Sequence, residues 1–204
     1  MPLPISQPQA LKACSWLKAC YGDDIRAAVT APFTIDHICA IACQETAYFW
    51  LEFIEKLTPQ EILGRCVLDA TGNTPDTVGQ RNAFPKNTAA FLARYGSGFT
   101  EILIAEGNKS RILRGFKPWR QIYNGYGIFQ YDLQFVLDDP DFFRRREWYS
   151  FRSCLDRCLL ELTHAYARTG NVPEAIRAYN GSGPAARQYR DNVLTFARLS
   201  ASVP

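Results

Sequence analysis

The 14 residues from Ile38 to Leu51 carry a single charged side chain, Glu45, set among Ile, Cys, Ala, Tyr, Phe, Trp and Leu. Nothing else in the chain restricts its folding as much. The stretch is too short to span a bilayer, which takes about 20 apolar residues, so it belongs in a protein core. Small and apolar residues at Ile35, Ile38, Cys39, Ala42 and Thr46 recur at the period of an amphipathic helix, with Pro32 and Thr34 ahead of them as start signals. A carboxylate in such surroundings loses hydration in its charged form, which raises its pKa. A glutamic acid that keeps its proton near neutral pH can donate it to a departing oxygen. The competing reading is a partly exposed Glu at a helix end, or one paired with an arginine such as Arg65.

Helical periodicity continues elsewhere. Phe151, Leu155, Cys158, Leu159 and Leu162 define a second helix over 151–168, with Gly170-Asn171 as its stop. A third begins at Pro173, a favoured first-turn position, and a fourth carries Ala186, Tyr189, Val193 and Phe196. Thr58-Pro59-Gln60-Glu61 is a helix start leading through Ile62, Leu63 and Val67, and Gly72 to Pro85 is loop-like. Glu101 to Arg114 fits either a hairpin around Gly107-Asn108 or a broken helix. With no repeat, low-complexity tract or long linker, the expectation is one mainly α domain over 1–204.

Composition narrows the function classes. Hydrophobic residues at 47% and charged residues at 21% are globular values, and a net charge of +3 suits an acidic polymer without implying nucleic acid. The seven cysteines cannot all pair within the chain, and no CxxC is present. They read as small buried side chains rather than as zinc ligands. Neither a metal nor an organic cofactor is expected. Met1 to Gln9 holds three prolines and no basic segment, and no apolar run follows, so no Sec-type signal peptide and no membrane span are expected. The basic runs Lys109, Arg111, Arg114, Lys117, Arg120 and Arg144-Arg145-Arg146 read as solvated faces.

Two further segments carry chemistry. In Asn124-Gly125-Tyr126-Gly127-Ile128-Phe129-Gln130-Tyr131-Asp132 the glycines allow a tight turn and a close backbone approach. Tyr126, Phe129 and Tyr131 offer faces for sugar rings, and Gln130 and Asp132 offer polar atoms. In Ala178-Tyr179-Asn180-Gly181-Ser182-Gly183-Pro184 one helix ends in a glycine turn and another begins.

Taken in order, Gln44-Glu45-Thr46, Gly127-Ile128-Phe129-Gln130 and Ala178-Tyr179-Asn180 resemble the goose-type lysozymes and the soluble lytic transglycosylases. Those families show Glu-Ser at a helix end, a Gly-Leu-Met-Gln turn and an Ala-Tyr-Asn helix end. Asn124 to Asp132 is similar to the longer goose-type version of the turn. Thr46 departs from the usual Ser, Phe129 from Met, and Gly181-Ser182-Gly183 from Ala-Gly-x-Gly. Glu45 and Gly127 are also much farther apart than in the family, so roughly 50–120 is an insertion that the resemblance leaves unexplained.

The resemblance implies a lysozyme-like, mainly α fold that cleaves the β-1,4 bond between N-acetylmuramic acid and N-acetylglucosamine in peptidoglycan. Glu45 would protonate the leaving oxygen. Thr46, Tyr126, Gln130, Tyr179 and Asn180 would hold the sugar, and Asp132 would orient the attacking water. The family's other water-orienting aspartate has two unranked candidates here, Asp69 and Asp76. An inverting hydrolase would set the carboxyls of Glu45 and Asp132 roughly 6.5–9.5 Å apart, and the competing role for Asp132 is capping a short helix from Leu133. Open alternatives are a lytic transglycosylase giving 1,6-anhydro ends, a chitinase, an inactive glycan-binding module, and a cysteine hydrolase using His37 or His164. A muramidase without a signal peptide would be a phage endolysin or a bacteriolytic toxin delivered by a secretion machine, the latter with a cognate inhibitor or immunity protein.

Overall fold

A computed structural model describes residues 2–69 and 87–204; the expected loop over 72–85 and the candidate Asp76 lie outside the described residues. The protein is mainly helical, as its periodicity requires. The chain divides into two compact units, 1–59 with 155–204 and 60–154.

The first unit is built from α1 (Gln7–Ala28), α2 (Ile35–Trp50), most of α7 (Phe151–Thr169), α8 (Val172–Asn180) and α9 (Gly183–Ser200). Helix α1 starts at a reciprocal cap in which Gln9 Oε1 accepts from the Ser6 amide at 2.9 Å and Ser6 Oγ accepts from the Gln9 amide. The central helix α2 buries Ile38, Cys39, Ile41, Ala42, Cys43, Ala47 and Trp50 against α1 and α9. Lys18, on α1, ties the three together: its Nζ lies 3.1 Å from Asp36 Oδ1 and donates to the carbonyls of Ser200 at 2.9 Å and Val203 at 2.7 Å. Gly170 ends α7 with φ at +73°, and Asn171 then caps α8 by accepting from the Glu174 amide at 2.9 Å. Six cysteines are buried and Cys20 is exposed. Burial pushes the Cys39 thiol up to about 12, so it behaves as an apolar filler.

The second unit begins with α3 (Pro59–Arg65), continues with α4 (Thr88–Tyr95) and α5 (Ser97–Leu113), and then forms the strands β1 (Gly125–Tyr126) and β2 (Tyr131–Asp132) and the short helix α6 (Pro140–Arg144). Its core is aromatic: Phe91, Phe142, Phe143, Tyr126 and Trp148 are fully buried. Two expectations fail here. Helix α3 stops at Arg65, because Val67 leaves it to bridge Tyr126. Residues 101–114 form neither a hairpin nor a broken helix, since α5 runs unbroken through them. Gly107 is there for packing: a Cβ on it would stand 2.6 Å from the ring of Tyr123. Asn108 does not turn the chain either. Its amide accepts from the Trp119 backbone N–H at 2.6 Å and donates to the Trp119 carbonyl at 2.9 Å. Among the described residues no helix is long and apolar enough to cross a membrane.

Candidate active site

Glu45 sits late in α2, half-buried, in the first unit. The hydroxyl of Tyr189, from α9, donates to its Oε1 at 2.6 Å. Tyr179, near the end of α8, lies with its ring 6.3 Å from that of Tyr189. Burial pushes both phenols well above their ordinary value, and the negative charge of Glu45 adds to the effect on each. Both therefore stay neutral, and Tyr189 is a fixed donor to the carboxyl group. The acid of α2 is held by a helix 144 residues away in sequence.

Other residues assigned to the sugar have different positions. Asn180 is exposed at the end of α8. Thr46 is completely buried; its hydroxyl donates to the Ala42 carbonyl at 3.3 Å and accepts from Trp50 Nε1 at 2.9 Å. Its hydroxyl thus serves α2 itself, which corrects its assignment to substrate.

The Asn124–Asp132 segment lies in the second unit and forms a hairpin, with Gly125 opposite Asp132 and Tyr126 opposite Tyr131. The turn closes where the Gln130 amide donates to the Gly127 carbonyl at 3.0 Å, with φ at +78° for Gly127 and +53° for Gln130. The Gln130 side chain then donates to the carbonyls of Gly127 at 2.8 Å and Cys66 at 3.2 Å. Its Oε1 occupies the space above Gly125, where a Cβ would stand 2.2 Å from it. Tyr126 and Phe129 face inward, which corrects their expected role as sugar platforms, while Tyr131 is half-buried. Tyr126 is 0% exposed between Phe143 and Trp148, Phe129 is 3% exposed, and Tyr131 stacks on Phe135 with centroids 4.8 Å apart.

Asp132 caps the helical turn Leu133–Leu137, its Oδ1 accepting from the Gln134 amide at 2.8 Å. Asp69 runs beside the hairpin, its carbonyl accepting from the Asn124 amide at 2.6 Å. Asp69 and Asp132 thereby flank Asn124-Gly125, Asp132 opposite Gly125 across the hairpin and Asp69 through its backbone bond to Asn124. Of the two histidines, His37 bonds to Thr34 through Nδ1 and His164 is exposed, and neither meets a cysteine among the described residues. The described residues also contain no cluster of His, Cys, Asp or Glu able to hold a metal ion.

Tyr189 and Glu161 escaped sequence reasoning. Tyr189 was legible only as an apolar-face residue of its helix, although a hydroxyl in such a stripe needs a partner. Glu161, from α7, joins Glu45 in raising the Tyr179 phenol, behind the larger effects of burial, Cys158 and Tyr189. No feature of its local sequence marks it out.

Comparison with known proteins finds no match among family models, curated proteins or solved structures.

Tyr189→Phe keeps the ring and deletes the donor. It is expected to lower unfolding free energy by about 1 kcal/mol, since half-buried Glu45 can regain water. If Glu45 reacts as proposed below, the rate should fall about tenfold through looser positioning of the acid. Urea unfolding and turnover of purified cell wall measure the two effects; an unchanged rate would remove Tyr189 from the site.

Proposed function

We propose that this chain is a peptidoglycan-cleaving glycosidase on a lysozyme-like helical fold, with Glu45 as the proton donor. The observation that carries the reading is the Tyr189 hydroxyl 2.6 Å from Glu45 Oε1, with Glu45 half-buried on a helix whose buried positions are apolar or small. In this reading Glu45 passes a proton to the oxygen of the leaving sugar while the Tyr189 hydroxyl holds its carboxyl group in place. Tyr179 and Asn180, at the end of α8, offer polar groups to an N-acetylated sugar. The ordered resemblance of the Glu45, Gly127–Gln130 and Ala178–Asn180 segments to the goose-type lysozymes supports the same substrate. Such a protein would act on the wall as an endolysin or a delivered bacteriolytic toxin, and the toxin would be paired with an inhibitor protein.

The position of Asp132 favours a second reading within this class. A carboxylate that caps a helical turn already has a structural task, which suits a lytic transglycosylase: there one acid suffices and the sugar's own C6 hydroxyl attacks. Mass spectrometry of products from purified peptidoglycan, with chitin in parallel, tests both. Ordinary reducing ends mark hydrolysis, and 1,6-anhydro ends mark transglycosylation. Glycan binding without any cleaved product would overturn the enzymatic reading in favour of a binding module.

A further inference from the structure

The second unit carries an open, solvent-facing cavity of about 330 Å³ bordered by Gln60, Lys109, Arg145, Arg146 and Tyr149. The two basic runs expected to be mere solvated faces meet here, Lys109 from α5 and Arg145-Arg146 from the end of α6. Glu106, 2% exposed, organises the wall. It accepts from Tyr149 Oη at 2.6 Å, Lys109 Nζ at 2.7 Å and Arg146 Nη1 at 3.3 Å. Burial works against its ionisation, but Lys109, Tyr149 and Arg146 outweigh that and hold the carboxyl below its ordinary value. Asp141 pairs with Arg145 at 3.1 Å, and Arg65 Nη1 donates to Tyr149 Oη at 3.4 Å. Among the described residues the lining holds three cations, Lys109, Arg145 and Arg146, against the two carboxylates that pair with them, Glu106 and Asp141, so the charge there is net positive.

These cations are held in place yet not used up. Among the described residues Arg146 bonds through Nη1 only, which leaves the rest of its guanidinium fork for a ligand. Arg146 also adopts left-handed backbone angles, φ +58° and ψ +42°, which glycine or asparagine would take more readily. An arginine kept in that conformation points to a demand on its side chain. Because Glu106 fixes Lys109 and Arg146 beforehand, a bound anion need not order them.

We propose that this cavity is an anion-binding site, taking a phosphate-ester or carboxylate group carried by a larger molecule. The shared chemistry is an oxyanion met by arginine forks, a lysine ammonium and a phenol. A bare anion would leave much of the volume empty, which leaves room for part of its carrier. The site is built from residues of the second unit alone and does not depend on the glycosidase reading.

The test is calorimetric titration of the full chain with inorganic phosphate and, separately, with acetate, at ionic strength held constant with chloride. Saturable binding of at least one is expected; the tighter of the two tells whether a phosphate or a carboxylate is the natural group. Arg145→Glu should weaken it about tenfold or more, the effect of losing one charge-assisted contact, while melting as the wild type does, because its pair with Asp141 is exposed. Arg146→Lys keeps a cation on Glu106 but removes the fork, and should weaken binding as well. Titrations no different from chloride, or wild-type affinity in both variants, would overturn the site.

Discussion

Glu45→Gln should cost about 10²–10⁴-fold in the rate of peptidoglycan cleavage, the usual contribution of a positioned general acid, with an unchanged melting temperature. The amide is close in size to the acid and its oxygen can still accept from Tyr189, so α2 and α9 keep their contact. Its nitrogen cannot pass a proton to a leaving sugar oxygen. Initial rates on purified wall material, set beside thermal unfolding of the same preparations, make the comparison. A folded variant with near wild-type turnover would end the assignment of Glu45, whatever the products.

Trp148→Ala should destabilise the protein by about 3–5 kcal/mol, the range for removing a large buried aromatic side chain. Trp148 is fully buried, with ring centroids 4.9 Å from Tyr126 and 6.1 Å from Phe142, and its Nε1 donates to the Gly64 carbonyl at 3.4 Å. It also shapes the turn, because a Cβ on Gly127 would stand 3.2 Å from its Cβ. The loss therefore removes both the filling of the second core and the wall behind the hairpin. Urea unfolding measures it, with exposed His164→Ala as the reference expected within about 0.5 kcal/mol of wild type. A loss below about 1 kcal/mol would mean that the aromatic cluster does not hold the unit together.

Local rules located much of this fold. The α2 and α7 to α9 helices were legible because apolar spacing and terminal Pro, Gly and Asn residues agree along each of them. Helix α1 shows only a faint pattern, because four of its six buried residues, Ala10, Ala13, Cys14 and Gly22, are small and only Leu17 and Ile25 are large. The Gly107-Asn108 signal misled because Tyr123 and Trp119, more than ten residues onward, decide what those two residues do. The turn at 125–130 was found by its glycines. Which way Tyr126 and Phe129 face depends on Phe143, Trp148 and Phe151, beyond any local pattern. Capping by Asp132 was legible, since the task is local. The Tyr189 bond to Glu45 was not, because it joins distant segments.

That distance has a consequence for synthesis. The unit holding Glu45 is assembled from both halves of the chain, with 60–154 made in between. At about 5–20 residues per second, the ribosome adds Tyr189 on the order of ten seconds after Glu45, given the 144 residues between them. The continuous 60–154 segment can fold during that delay. Glu45 and its tyrosine partner can meet only after α9 has been made, so a chain that stops before α9 lacks the contact that holds this carboxyl group.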